Sequence, residues 1–173
     1  MKKLCIFRHG QTDWNREGRN MGWADIPLNG TGREQANKLA EDLQNVGLEV
    51  IYSSPSSRCI ETAQIVAKFN NVKIIMDNSL QERNISGGES MTRHEQRVIP
   101  AINNIIKTSA HNIMGISTSN GTALWILENV LGRELPPFNI PNAGYYCLDW
   151  DGENLKLSEV PEWLAPHLIN RSS

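Results

Sequence analysis

Four short apolar runs, at residues 3–7, 50–53, 72–76 and 112–116, constrain this chain more than any other feature. Each is too short to be a core helix, and each stops abruptly in polar residues. Strands of a parallel sheet read this way because helices cover both of their faces, so apolar residues follow one another instead of alternating. Between the runs the pattern changes to helical spacing. Ala36, Leu39, Ala40, Leu43 and Val46 follow Thr31-Gly32-Arg33-Glu34, whose spacing is that of a capping box. Ile60, Ala63, Ile65, Val66 and Phe69 carry a second helix to Asn70, with Pro55 expected in its first turn. Val98, Ile102, Ile105 and Ile106 mark a third over 90–108, which Pro100 should interrupt or kink. A fourth, over 124–131, stops at Gly132. Residues 145–150 and 155–160, parted by Asp151-Gly152-Glu153-Asn154, read as an antiparallel hairpin. The expected fold class is α/β, a three-layer α/β/α arrangement around a mainly parallel sheet with a C-terminal antiparallel hairpin.

At 173 residues the chain has the length of one domain, 1–173. Seventeen Lys and Arg against nineteen Asp and Glu leave a net charge of −2, which gives no footprint for nucleic acid or for an anionic membrane. The apolar run after Met1-Lys2-Lys3 is cut off by Arg8 and His9, too early for an export signal, and no stretch has the length of a membrane span. Cys5, Cys59 and Cys147 are odd in number and lie among apolar residues, so reduced, buried thiols are expected, with neither a disulfide framework nor a metal site. A cytoplasmic protein is the consistent expectation.

Ligands of open parallel sheets bind beyond the carboxyl ends of the strands, so the residues after each run are the candidates for chemistry. Arg8-His9-Gly10-Gln11-Thr12 follows the first run and Ser53-Ser54-Pro55-Ser56-Ser57-Arg58 the second. Leu80-Gln81-Glu82-Arg83 comes after the third, and residues 117–121 after the fourth. One imidazole, two or three guanidinium groups and a carboxyl would thus share a cleft. That inventory suits a phosphoryl group. Guanidinium forks bind its oxygens, a neutral imidazole nitrogen can attack phosphorus, and a carboxyl can protonate the leaving oxygen.

These residues also carry a resemblance. Arg8-His9-Gly10-Gln11-Thr12, Trp14-Asn15, Gly18-Arg19, Gly22, Asp25-Ile26-Pro27-Leu28 and Gln35-Ala36 closely resemble the opening of the histidine phosphatase superfamily, the phosphoglycerate-mutase-like group. Ser53-Ser54 through Arg58 to Glu61-Thr62-Ala63, then Gly87-Gly88-Glu89-Ser90 and Asn142-Ala143, resemble its later blocks. The resemblance implies that His9 is the nucleophile and becomes phosphohistidine. It makes Arg8 and Arg58 the phosphoryl clamp, Glu82 the proton donor, and Asn15 and Gly22 parts of the pocket. It implies no metal and no other cofactor. The partner it implies is a small phosphorylated substrate or phosphate.

Two departures from the family pattern shape the expected function. The family has a second histidine after the fourth strand, where this chain reads Ser117-Thr118-Ser119-Asn120-Gly121. Thr118 or Ser119 takes its place and, with Asn120, is expected to bind substrate, while Ser119 or Asn120 also suits the cap of the following helix. Only six residues, 83 to 88, separate Glu82 from Glu89, so the cap around 82–100 is reduced and the cleft open. Met21 makes one pocket wall less polar than in the mutases. The expectation is a phosphatase working through phosphohistidine, with mutase activity unfavoured. The alternatives are a phosphate-binding protein with little or no turnover and a retuned group-transfer enzyme of a biosynthetic pathway. Among the other histidines, His94 is expected to be a solvated helix residue. His111 falls at the wrong end of the sheet, and His167 has a structural role.

Overall fold

The first strand, β1 (Lys2–Arg8), is buried on both sides, and its alternation sorts the rest of the chain into layers. Leu4 and Ile6 join a cluster with Val98, Ile102, Ala123 and Ile126, whereas Cys5 and Phe7 join one with Leu39, Ala40, Ala63 and Val66. Helices α4 (Met91–Thr108) and α5 (Asn120–Leu131) therefore cover one face of the sheet, and α2 (Gly30–Asp42) and α3 (Ser57–Asn70) cover the other. The remaining elements are the one-turn α1 (Asp13–Arg16), β2 (Val50–Ser53), β3 (Lys73–Met76), β4 (Ile113–Thr118), β5 (Tyr145–Trp150), β6 (Leu155–Leu157) and α6 (Ala165–Leu168). This computed structural model describes residues 1–169.

The six strands lie in the order β3-β2-β4-β1-β5-β6. The first four in that order run parallel, while β5 is antiparallel to β1 and β6 to β5. The α/β class, the mainly parallel sheet and the terminal hairpin are those expected. The carboxyl ends of β1, β2 and β4 are neighbours, which brings the loops after Arg8, Ser53 and Thr118 together. No helix among the described residues is long and apolar enough to cross a membrane.

Several local expectations need correction. Cys5 and Cys147 are paired in register across the antiparallel strands β1 and β5 and form a disulfide, leaving Cys59 as a free, buried thiol. The residues lie 142 positions apart, and only the sheet register brings their Cα atoms to 4.2 Å. The bond removes the cysteine pattern as support for a reducing compartment. Helix α2 starts at Gly30, so Thr31 is already helical. Asn29 caps the helix by accepting the Gly32 N–H at 2.8 Å. Helix α4 runs through Pro100 without interruption. The carbonyl freed by that proline is that of Gln96, an exposed residue where water can satisfy it. Of the expected cap, residues 82–90 are a loop, while the first half of α4 belongs to the core through Val98.

Candidate active site

The loop after β1 is fixed by close backbone packing. A side chain on Gly10 would overlap the Gly32 carbonyl, and one on Gly32 would overlap that of Gln11, so only glycine lets the loop lie on the start of α2. His9 is thereby buried, and its backbone is tied on two sides. Its N–H donates to the Thr118 carbonyl at 3.1 Å, and its own carbonyl accepts the Ala143 N–H at 3.0 Å. Ala143 holds a left-handed conformation, φ 57°, to make that contact, a local strain set beside the cleft.

The ring of His9 has a defined tautomer. Nδ1 lies 2.7 Å from the Gly10 carbonyl, which can only accept, so Nδ1 carries the proton and Nε2 a lone pair. Burial, then the guanidinium charges of Arg58 and Arg8, hold its pKa well below the ordinary histidine value, so the ring is neutral at physiological pH.

Arg58, on the first turn of α3, is 1% exposed. It donates from Nη1 to the Ala24 carbonyl at 2.9 Å and from Nη2 to that of Gly22 at 2.8 Å. Arg8, the last residue of β1, donates from Nη1 to the Ile140 carbonyl. Burial is the main cause that brings its pKa down to about 10, with Glu82 opposing and Arg58 adding, so it remains a cation. Both side chains keep a buried Nε–H with no acceptor among the described residues. Buried charged donors without partners are costly, and an anion's oxygen offsets that cost.

Glu82 sits on the opposite wall. Its carboxylate accepts the Gly121 N–H at 2.8 Å and the Arg83 N–H at 2.9 Å, so it acts as the cap of α5 from outside the helix. A side chain at 121 would overlap the carboxylate, so the glycine leaves room for Glu82 in this position. Neither Ser119 nor Asn120 caps α5 through its side chain as expected. Ser119 holds the capping position without a side-chain bond, and Asn120 Oδ1 accepts the Ile140 N–H.

The choice between Thr118 and Ser119 is decided by strand parity. Thr118 continues the face of Met114 and Ile116, and its hydroxyl donates to the Leu80 carbonyl at 2.6 Å, away from the cleft. Ser119 faces the other way, with Oγ 3.5 Å from Arg58 Nη2 and 3.8 Å from Cys59 Sγ. Thr118 is therefore no part of the wall, and the alternation of β4 was the signal for it.

Arg8, His9, Asn15, Met21, Gly22, Arg58, Glu82, Ser119 and Asn120 line one open cavity of about 680 Å³. Asn15 is fixed by a capping box with Thr12 and by the Asn142 amide at 3.2 Å. Met21 Sδ accepts the Thr12 hydroxyl at 3.2 Å. Among the described residues, no three His, Cys, Asp or Glu gather in a metal-binding group.

One residue of the cavity departs from expectation. His94, expected to be solvated, is 2% exposed and lines the cavity, bonded at 2.9 Å to Thr122 of α5. Its signal was in the sequence, because His94, Val98 and Ile102 form one stripe at helical spacing. His111 and His167 lie away from the cavity. The first is 3.3 Å from Glu49, and the second stacks on Phe138 at 3.9 Å between ring centres.

Comparison with known proteins agrees with this geometry. Residues 4–87 match the histidine phosphatase superfamily (branch 1). The uncharacterized phosphatase PhoE of Bacillus subtilis is 34% identical over 96 residues, 56% of this chain and 50% of that protein. Phosphoserine phosphatase 1 of Hydrogenobacter thermophilus is 39% identical over 82 residues, 47% of this chain and 39% of that protein. Phosphoglycerate mutase names also occur among the relatives. The chain thus aligns with about half or less of each curated relative's length. The fold match is wider. The structure of Bacillus stearothermophilus YhfR superimposes with a TM-score of 0.83 at 24% identity, covering 91% of this chain and 96% of that one. The amino-terminal half of this chain, residues 4–87, thus matches the histidine phosphatase superfamily, and the chain as a whole shares the fold of YhfR.

Proposed function

We propose that this protein is a phosphomonoesterase that hydrolyses a small phosphorylated metabolite through a phosphohistidine at His9. The observation that carries this reading is the tautomer of His9. A neutral ring whose proton is engaged by the Gly10 carbonyl keeps its lone pair on Nε2, in a cavity that the buried guanidinium groups of Arg8 and Arg58 also line. Nε2 attacks phosphorus, the ester P–O bond breaks, and the leaving oxygen takes the proton of Glu82, which enters the cycle as the carboxylic acid. Water then attacks the phosphohistidine, gives its proton to the Glu82 carboxylate, and releases phosphate as the P–N bond breaks. Arg8 and Arg58 hold the phosphoryl oxygens with charge-assisted hydrogen bonds, with Asn15 beside them. The phosphatase names among the relatives support hydrolysis, and the short 82–90 loop over an open cavity disfavours a mutase, which must retain its substrate between two transfers.

A second reading is binding without turnover, favoured by the serine at 119 where a cationic donor is expected from the resemblance. One experiment separates the two. Incubation with a panel of phosphate esters should give an acid-labile phosphoryl group on His9, absent from His9→Ala, together with release of phosphate. Phosphate binding without label or turnover supports the second reading, and neither binding nor label rejects both.

A further inference from the structure

Among the described residues, His94 is the one buried titratable group of the cavity to which the proposed chemistry gives no task. Its hydrogen bonds fix its protonation pattern. Thr122 has a single hydroxyl proton, and that proton goes to the Gln81 carbonyl at 3.0 Å. The 2.9 Å contact between Thr122 Oγ1 and His94 Nε2 must then be donated by the ring. The ring is held as the Nε2–H tautomer, with its lone pair on Nδ1. Among the described residues Nδ1 has no hydrogen-bond partner, yet the ring lines the cavity.

Its place along the cavity follows from its neighbours. His94 is on the first turn of α4, and its Thr122 anchor lies one residue after Gly121, whose N–H holds the Glu82 carboxylate. It therefore belongs to the leaving-group side and not to the phosphoryl floor. Met21, Ile85 and Met91 give the otherwise polar lining an apolar part, and Ile85 and Met91 are about half exposed. Two guanidinium groups, Arg19 and Arg83, also line the cavity and oppose a cationic group there.

We infer that His94 is a specificity residue, whose Nδ1 accepts a hydrogen bond from a neutral hydroxyl on the leaving group. Resting on the phosphomonoesterase reading, this assigns the substrate class. It is the phosphate ester of a hydroxylated alcohol with an apolar edge, such as a sugar or other polyol phosphate, whose C–H surface packs on Met21, Ile85 and Met91. A site built around a fixed acceptor rejects the analogue that lacks the donor, because the acceptor is then left buried and unpaired.

The test reads binding in the His9→Ala variant, where turnover cannot interfere. Cyclohexyl phosphate, its monohydroxylated ring analogues and the corresponding amino analogues are compared by calorimetry. One hydroxylated analogue should bind about tenfold tighter than cyclohexyl phosphate, and the amino analogue of the same geometry should not. Adding His94→Leu should reduce that preference to within about twofold of unity. His94→Gln can donate to Thr122 and accept from the ligand through one amide, so it should keep most of the preference. Thermal melts show that each variant is folded. The inference is overturned if no hydroxylated analogue is preferred, if the amino analogue binds best, or if His94→Leu weakens all esters equally. Should His9 form no phosphohistidine while the preference holds, the phosphatase reading fails and the assignment of His94 stands. A labelled His9 without the preference gives the reverse.

Discussion

Gly121→Ala tests the placement of Glu82 without touching any reacting group. The new methyl would overlap the carboxylate, which is pinned by N–H groups at 2.8 and 2.9 Å, so the side chain must swing out and lose both bonds. Hydrogen bonds to a charged group contribute about 1.5–3 kcal/mol each, so the displaced carboxylate does not return to its position at a trivial cost. If Glu82 is the proton donor, the loss falls on leaving groups that need a proton. General acid catalysis is worth about 10²- to 10⁴-fold, and a hundredfold loss corresponds to about 2.7 kcal/mol of barrier. Turnover of an alkyl phosphate should therefore fall by about a hundredfold. Turnover of para-nitrophenyl phosphate, whose leaving group departs as a stable anion, should fall by less than about tenfold. Glu82→Gln should give the same split. Single-turnover rates on the two esters provide the measurement. Equal losses on both esters, or none on either, would refute the assignment of Glu82 as proton donor.

His9 and His94 are both held below the ordinary histidine pKa, chiefly by burial, so the unfolded chain takes up protons that the folded one refuses. Stability should be complete above about pH 6.5 and fall as the pH drops below it, by about 1.4 kcal/mol per pH unit for each such group, as read from urea melts. Stability that holds level from pH 7 to 5 would contradict the burial of both rings. Ser119→His places beside Arg58 the histidine that the resemblance implies; turnover of para-nitrophenyl phosphate should stay flat if the serine itself contacts the substrate, and a gain of more than about tenfold would indicate simple loss of a donor. The unreduced protein should be lighter by two hydrogens than the reduced one, and Cys147→Ala should lower stability by about 2–4 kcal/mol. Equal masses would remove the Cys5–Cys147 bond.

The layers were legible because β1 buries both faces, and a run of apolar residues closed by Arg8 and His9 has few other solutions. What escaped depends on register or on groups distant in sequence. The Cys5–Cys147 pair needs the antiparallel alignment of β5 on β1, which no local pattern specifies. The start of α5 was placed four residues late, because its first turn reads as a polar loop. The group that satisfies that turn is Glu82, from a different part of the chain. Boundaries capped by neighbouring residues are written locally, and boundaries capped from across the fold are not.

The site divides in the same way. Arg8 ends β1, His9 follows it and Arg58 stands in the first helical turn after β2, so a strand-by-strand reading finds them. Their restraints come from Gly22, Ala24 and Ile140, main-chain groups whose identities carry no chemical signal. Two assignments needed only the periodicity already in use. Parity along Met114, Ile116 and Thr118 turns Thr118 to the core and leaves Ser119 beside Arg58. The stripe through His94, Val98 and Ile102 turns an expected surface histidine inward against Thr122. A polar residue on an apolar stripe has to find a partner or a ligand once buried. Here one ring nitrogen found Thr122, and the other is left without a partner among the described residues on a side chain that lines the cavity.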